Sequence, residues 1–142
     1  MTQLRAARWM TVLAHGLAWS AFAFILFWPW MYHGTTIEVG PDGIQRVVPY
    51  SATFLEVNSR WTLIPLLVPV GLTAAGLLVA LGAHGRRNIV LLWIVTALAA
   101  VFCVLGSFSV GMFYAPACLA LLAAAIIFTM SKGQTTAART GI

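Results

Sequence analysis

Four long stretches of the sequence carry no charged side chain, and they constrain the fold more than any other feature. They are residues 9–30, 61–82, 89–106 and 113–130. A helix needs about 20 apolar residues to cross a hydrocarbon core of about 30 Å, so each stretch is near bilayer length. A membrane barrel would instead require many strands of alternating polarity. The pattern predicts an all-α integral membrane protein, a single transmembrane domain built as a four-transmembrane-helix bundle.

The composition agrees with that class. Hydrophobic residues make up 61% of the chain and charged residues 8%, whereas soluble domains average about 45–50% apolar and about 25% charged residues. The net charge of +5 raises the question of nucleic-acid binding. The basic residues are scattered in ones and twos, without a basic stripe, so no nucleic acid is expected as a partner.

The basic residues predict the orientation of the four spans. One side of the membrane receives the N-terminus, the link at 83–88 and the tail at 131–142, which carry Arg5, Arg8, Arg86, Arg87, Lys132 and Arg139. The other side receives the loop at 31–60, with Arg46, Arg60 and all three acids. The positive-inside rule therefore predicts that both termini are cytoplasmic. A bacterial plasma (inner) membrane is the expected location.

The two ends of the chain bear on this topology. The first apolar stretch is too long for the apolar region of a signal peptide, and it ends at Trp-Pro-Trp rather than at a small-residue cleavage site. We therefore expect an uncleaved first span. The tail from Ser131 onward is small and polar, and we expect it to be frayed.

The outer loop contains a predicted β-hairpin. Residues 35–39 and 44–48 are rich in β-branched side chains, and they flank the turn sequence Gly-Pro-Asp-Gly at 40–43. A lone hairpin is marginal in water. We expect it to pack on the outer helix ends, on a partner or on a second copy. Residues 49–58 are expected to form a further short strand or an interfacial segment.

His15 is the one histidine inside a predicted span, about two turns from its cytoplasmic end. It is interpreted as a polar residue of the bundle, bonded to Ser, Thr or a backbone carbonyl. A titrating switch or a haem ligand is the alternative. Haem ligation needs a second histidine at the same depth, but His84 falls in the link and His33 on the opposite side. No cofactor and no metal is predicted.

Cys103 and Cys118 lie equally far from the middle of the outer turn at 107–112. They are therefore expected at similar depth in an antiparallel helical hairpin, as a packing pair or as a disulfide if their Cα atoms come within about 7 Å. A redox role is the third alternative. Because the turn is apolar and glycine-rich, we also predict an outer contact surface for lipid or a partner protein, formed by Trp28, Trp30, Met31, Phe108, Met112 and Tyr114.

The predicted layout resembles that of claudins and related tetraspan proteins, with four spans, cytoplasmic ends and a large first outer loop containing strands. The family signature in that loop is Trp, then Gly-Leu-Trp, then two cysteines. This loop has no cysteine and no such tryptophan motif, so the resemblance is one of topology and carries no function with it.

The residue pattern does not point to an enzyme, because the sequence shows no serine–histidine–acid set, no metal-spaced cluster and no phosphate-binding glycine loop. The first hypothesis is a small non-enzymatic accessory or scaffold subunit that binds membrane proteins, lipid or its own copies. The second is an oligomeric small-solute or ion transporter or channel lined by His15, Ser20, Thr73 and Thr96. The third is a redox or quinone-linked helper that uses the two cysteines.

Overall fold

The computed structural model describes residues 2–28, 32–82 and 85–140, and it is mostly helical. The elements are α1 (Thr2–Phe27), β1 (Tyr32–Val39), β2 (Gln45–Ala52), α2 (Phe54–Val57), α3 (Leu63–Leu81), α4 (Arg86–Leu105) and α5 (Ala115–Thr140). Short 3-10 turns precede α3 at Arg60–Thr62 and α5 at Gly111–Tyr114.

The four predicted apolar helices are confirmed. The segments long and apolar enough to cross a membrane are Gln3–Phe27, Arg60–Leu81, Arg86–Leu105 and Gly111–Ser131. The tail differs from the expectation, since α5 continues as a helix to Thr140. No proline follows Pro116 in the sequence, so nothing removes a backbone donor from the helix there.

The helices form a closed ring in which α1 packs against α3 and α5, and α4 completes the ring between them. Small residues line the contacts, and Ala14, Ala18 and Ala124 are completely buried. A side chain at Gly76 would place its Cβ 2.8 Å from Leu121 Cδ1. Small residues at such positions let helices approach closely, which is how bundles gain packing energy in lipid.

The predicted hairpin is confirmed, and its strands are longer than the sequence pattern indicates. They pair antiparallel from Tyr32 opposite Ala52 up to Val39 opposite Gln45. In the turn, Gly43 adopts a φ of 74°, which a glycine reaches without strain. The Gly43 N–H donates to Gly40 O at 2.9 Å, and the Gly40 N–H donates to Ile44 O at 3.0 Å.

The segment after β2 forms a helical turn that links the hairpin to the bundle. The Glu56 carboxylate accepts hydrogen bonds from the Thr53 N–H at 2.6 Å and from Thr53 Oγ1 at 2.9 Å. This is the glutamate half of a capping box, which fixes where α2 begins. The Asn58 side-chain amide donates to Tyr32 Oη at 2.8 Å and so ties this segment to the first residue of β1.

The Glu56 interaction predicts a pH dependence. The hydrogen bonds from Thr53, first from its backbone N–H and then from its hydroxyl, lower the pKa of Glu56. Because the folded pKa lies below the unfolded one, the stabilisation is complete above the ordinary glutamate pKa of about 4.3 and is lost as the pH falls through the folded value. We expect the Thr53 amide proton resonance in detergent micelles to titrate with a midpoint below about 4.3.

Glu56→Gln is the matched control, because the amide keeps the shape of the side chain and does not titrate in this range. The Thr53 resonance of this variant is expected to stay constant over the same pH range. A wild-type midpoint at or above the ordinary glutamate value would contradict the capping interaction.

Candidate functional site

The hairpin is exposed along nearly its whole length. Every residue of β1 except Tyr32 is exposed, and so is every residue of β2 except Val48 and Ala52. Tyr32 packs against the bundle core beside Phe54, with ring centroids 6.3 Å apart. The hairpin is therefore attached at its base, and both of its faces extend away from the core.

The two faces of the hairpin differ in polarity, because successive side chains of a strand point to opposite faces. The register places eight side chains on one face: His33, Thr35, Ile37, Val39, Gln45, Val47, Pro49 and Ser51. We call its middle part, formed by Thr35, Ile37, Val39, Val47 and Pro49, the apolar hairpin face. Its three aliphatic side chains, Ile37, Val39 and Val47, are 63%, 65% and 68% exposed. The opposite face carries the Glu38–Arg46 cross-strand pair near the turn, and it carries Tyr32, Val48 and Ala52, the less exposed residues of the hairpin, nearer the bundle.

The outer edge of β1 also offers main-chain hydrogen bonds. Hydrogen-bonded and non-bonded pairs alternate in an antiparallel ladder. Counting from the bonded Gly40–Ile44 position, Thr35 and Pro49 form a non-bonded pair, so the nitrogen of Pro49 faces the outer edge of β2. The outer edge of β2 therefore lacks a donor at Pro49. The outer edge of β1 presents the N–H and C=O groups of Thr35, Ile37 and Val39. Across the described residues the sheet has two strands only.

The predicted outer contact surface is brought together only in part. Phe108 is fully exposed and Met112 is 67% exposed, both in the segment between α4 and α5. Trp28 stacks on Phe24 with centroids 4.8 Å apart, and Phe24 lies 5.7 Å from Phe113. These contacts connect the C-terminal end of α1 to the 3-10 turn that precedes α5. Trp30 and Met31 lie outside the described residues.

Tyr114 does not belong to this surface, and its predicted role as a contact residue is wrong. It is 1% exposed, and its hydroxyl donates to Leu66 O in α3 at 2.9 Å. Phe102 meets its ring edge to face at 6.1 Å. The 3-10 turn directs Tyr114 inward, where the carbonyl satisfies the hydroxyl. Helical spacing contained the signal, since the face that continues from Tyr114 is buried at Ala117, Leu121, Ala124 and Phe128.

His15 joins α1 to α3 through a chain of hydrogen bonds. Trp19 Nε1 donates to His15 Nε2 at 3.1 Å, and His15 Nδ1 lies 3.1 Å from Thr73 Oγ1. An indole N–H can only donate, so Nε2 is the acceptor and Nδ1 carries the proton. Thr73 Oγ1 then donates to Val70 O at 2.9 Å. The direction of every bond in this chain is thereby fixed, and it fits a neutral imidazole.

Removing the hydroxyl of Thr73 tests this network. Thr73→Val keeps the shape of the buried side chain and leaves the His15 Nδ1–H without its partner. We expect the free energy of unfolding in mixed micelles to fall by about 1–2 kcal/mol. Thr96→Val is the matched control, because the buried Thr96 hydroxyl donates to the Leu92 carbonyl of its own helix at 2.8 Å and, among the described residues, joins no second helix. Equal losses for the two variants would show that the His15 contact contributes nothing.

The polar residues proposed for a transport pathway do not share one surface. His15 and Thr73 are bonded to each other between α1 and α3. Ser20 donates to Gly16 O of its own helix. It lines a different feature, an open groove of about 370 Å³ between α1 and α5 whose other lining residues are Leu17, Ala21, Phe24, Phe113 and Pro116. The groove is almost entirely apolar and suits hydrocarbon rather than a solute or ion.

The structure brings Cys103 and Cys118 together. Both are free thiols and both are partly buried. They lie on the facing helices α4 and α5, close enough that the two side chains interact directly. Cys118 packs against the core cluster around Leu121. Cys103 packs against the cluster around Tyr114.

Within the described residues, no group of three or more histidine, cysteine, aspartate or glutamate side chains is placed to hold a metal ion. The features that remain as candidate binding sites are the apolar hairpin face with the adjoining β1 edge, and the exposed segment between α4 and α5. Comparison with protein families, with curated proteins and with solved structures finds no match to this chain.

Proposed function

We propose that this chain is a small non-enzymatic membrane subunit that recruits a partner membrane protein through its hairpin. In this proposal the four apolar helices cross a bacterial inner membrane, both termini are cytoplasmic, and the hairpin stands on the outer side. The charge distribution supports that orientation. Basic residues lie at the cytoplasmic ends of the spans, and all three acids lie in the loop at 31–60 that contains the hairpin.

The exposed hairpin is the observation that carries the proposal. A two-stranded ribbon is marginally stable by itself and gains stability when a third strand or another surface covers it. Here three β-branched aliphatic side chains stand exposed on one face. An edge strand of this length with apolar side chains normally pairs or is protected by charge.

The chemistry of the hairpin indicates what kind of partner fits. A partner strand added to the outer edge of β1 would satisfy the main-chain groups of Thr35, Ile37 and Val39 and place its own apolar side chains beside those of the apolar hairpin face. The Glu38–Arg46 pair lies on the opposite face of the hairpin. The bundle beneath supplies a membrane anchor, and its exposed helix faces are available to lipid or to the partner's spans.

The test is purification in a mild detergent with identification of the chains that co-purify. Ile37→Asp places a charge in the apolar hairpin face and should reduce the recovered partner by about tenfold or more, equivalent to about 1.4 kcal/mol. Thr36→Asp is the matched control. Thr36 is adjacent to Ile37 in the same strand and is also exposed, but its side chain lies on the opposite face. It should retain the partner.

Two outcomes would contradict the proposal. One is a wild-type chain that purifies alone, as a monomer, under conditions that preserve other membrane complexes. The other is equal partner recovery with Ile37→Asp and Thr36→Asp. A wild-type assembly made only of this chain would replace the partner protein by a second copy. Solute flux in liposomes carrying the purified chain should stay at the level of empty liposomes.

A further inference from the structure

The segment that connects α4 to α5 is closed by direct backbone contact. The Gly111 N–H donates to Gly106 O at 2.7 Å. A Cβ added to Gly111 would lie 2.6 Å from the carbonyl carbon of Gly106 and 2.8 Å from Cys103 O. Those distances are shorter than a side chain tolerates, so glycine at 111 permits a turn that is tighter than other residues would allow. The main chain of Cys103 is part of this close contact.

Side chains of α4 and of the segment before α5 also meet beside this turn, where Phe102 contacts Tyr114 edge to face. Cys103 and Cys118 lie equally far from the middle of the turn at 107–112, so they occupy similar depths on the two antiparallel helices. The two free thiols interact directly across the helix interface. A disulfide between them requires a Cα separation of about 4.4–6.8 Å, and the oxidation experiment below tests whether the pair reaches it.

We propose that Cys103 and Cys118 form a reversible disulfide that fastens α4 to α5 beneath the outer turn. The oxidant is a small disulfide, which reacts by thiol–disulfide exchange. The sulfur of one cysteine attacks it, breaking its S–S bond and releasing one thiol. The sulfur of the other cysteine attacks the resulting mixed disulfide, closes the protein S–S bond and releases the second thiol. Both cysteine protons end on the two released thiols.

The consequence of closing the bond is a more rigid outer turn. The segment between the two cysteines contains Phe108 and Met112, the two most exposed of the described members of the predicted outer contact surface. A disulfide restricts the unfolded chain and the separation of the helix ends. The redox state of this pair would therefore determine how firmly that surface is presented. This inference is independent of partner binding by the hairpin.

The experiment treats the full-length reduced chain, in mild detergent, with a small apolar dipyridyl disulfide. We expect release of two thiopyridones per chain and an intact mass lower than the reduced chain by two hydrogen atoms. Denaturation and alkylation should then add no label until a reductant is supplied. The oxidised chain should unfold at a higher temperature than the reduced chain, and a reductant should reverse the shift.

Two variants keep the result interpretable. Cys103→Ser and Cys118→Ala each retain one thiol, so each should gain one pyridyl adduct in place of the loss of two hydrogens, with no rise in unfolding temperature. A wild-type chain that accumulates pyridyl adducts on both cysteines overturns the proposal. So does a wild-type chain that keeps both thiols alkylatable after treatment.

Discussion

Tyr114→Ala is expected to lower the free energy of unfolding in mixed micelles by about 2–4 kcal/mol. Aromatic-to-alanine changes in soluble cores cost about 3–5 kcal/mol. The transfer contribution is smaller in lipid, where packing and hydrogen bonds hold helices together. Tyr114 combines both kinds of interaction, since it is 1% exposed, contacts Phe102 and donates to Leu66 O. Its loss removes a contact shared by α3, α4 and the start of α5.

Two further variants separate the packing contribution from the hydrogen bond and from the surface. Tyr114→Phe keeps the ring and removes the donor, so the expected loss is about 0.5–1.5 kcal/mol. Phe108→Ala removes an equally large ring that is fully exposed, and its stability should match the wild type. If Tyr114→Ala lowers the free energy of unfolding no more than Phe108→Ala does, the buried position of Tyr114 is contradicted.

Gly111→Ala is expected to be the second most damaging change, with a loss of about 1–3 kcal/mol. The new Cβ would meet main-chain atoms of Gly106 and Cys103 at 2.6 and 2.8 Å. Backbone atoms cannot rotate away as a flexible side chain does, so the turn between α4 and α5 must widen. The measurement is the unfolding midpoint, together with the yield of the disulfide between Cys103 and Cys118, which should also fall.

Gly16→Ala is the matched control for this substitution. Gly16 lies within α1, and a Cβ there would meet nothing within 4 Å. Alanine is the better helix former by about 1 kcal/mol, so this variant should be as stable as the wild type or slightly more stable. If Gly111→Ala is as stable as Gly16→Ala, the turn accommodates a Cβ at position 111, and the close contact with Gly106 and Cys103 is contradicted.

Local sequence chemistry was sufficient for the parts of the fold that depend on neighbours in the chain. Length and lack of charge identified the four apolar helices, and Pro-Asp-Gly between β-branched runs identified the hairpin turn. The strand ends were underestimated, because the pairing of Tyr32 with Ala52 joins residues that no local pattern connects. The helical continuation to Thr140 was missed because small polar residues suggest a loop although none of them stops a helix.

The candidate sites depended more on packing and were harder to predict. The equal spacing of Cys103 and Cys118 from the outer turn gives their depth in an antiparallel pair, and the structure brings the two together. The partner of His15 is fixed by the rotation of α1 against α3, which hydropathy does not determine. Tyr114 was misassigned for the same reason, since its place near a span end fits both an interfacial and a buried side chain.

The arrangement of the four helices across the membrane can be measured by labelling single cysteines with a membrane-impermeant maleimide. In a chain lacking Cys103 and Cys118, new cysteines are placed one at a time at exposed positions: Ala6, Thr36, Gly85 and Ser109. We expect Thr36→Cys and Ser109→Cys to react on intact cells, and Ala6→Cys and Gly85→Cys to react only after the membrane is opened. Labelling of Gly85→Cys on intact cells, or protection of Thr36→Cys, would contradict this arrangement.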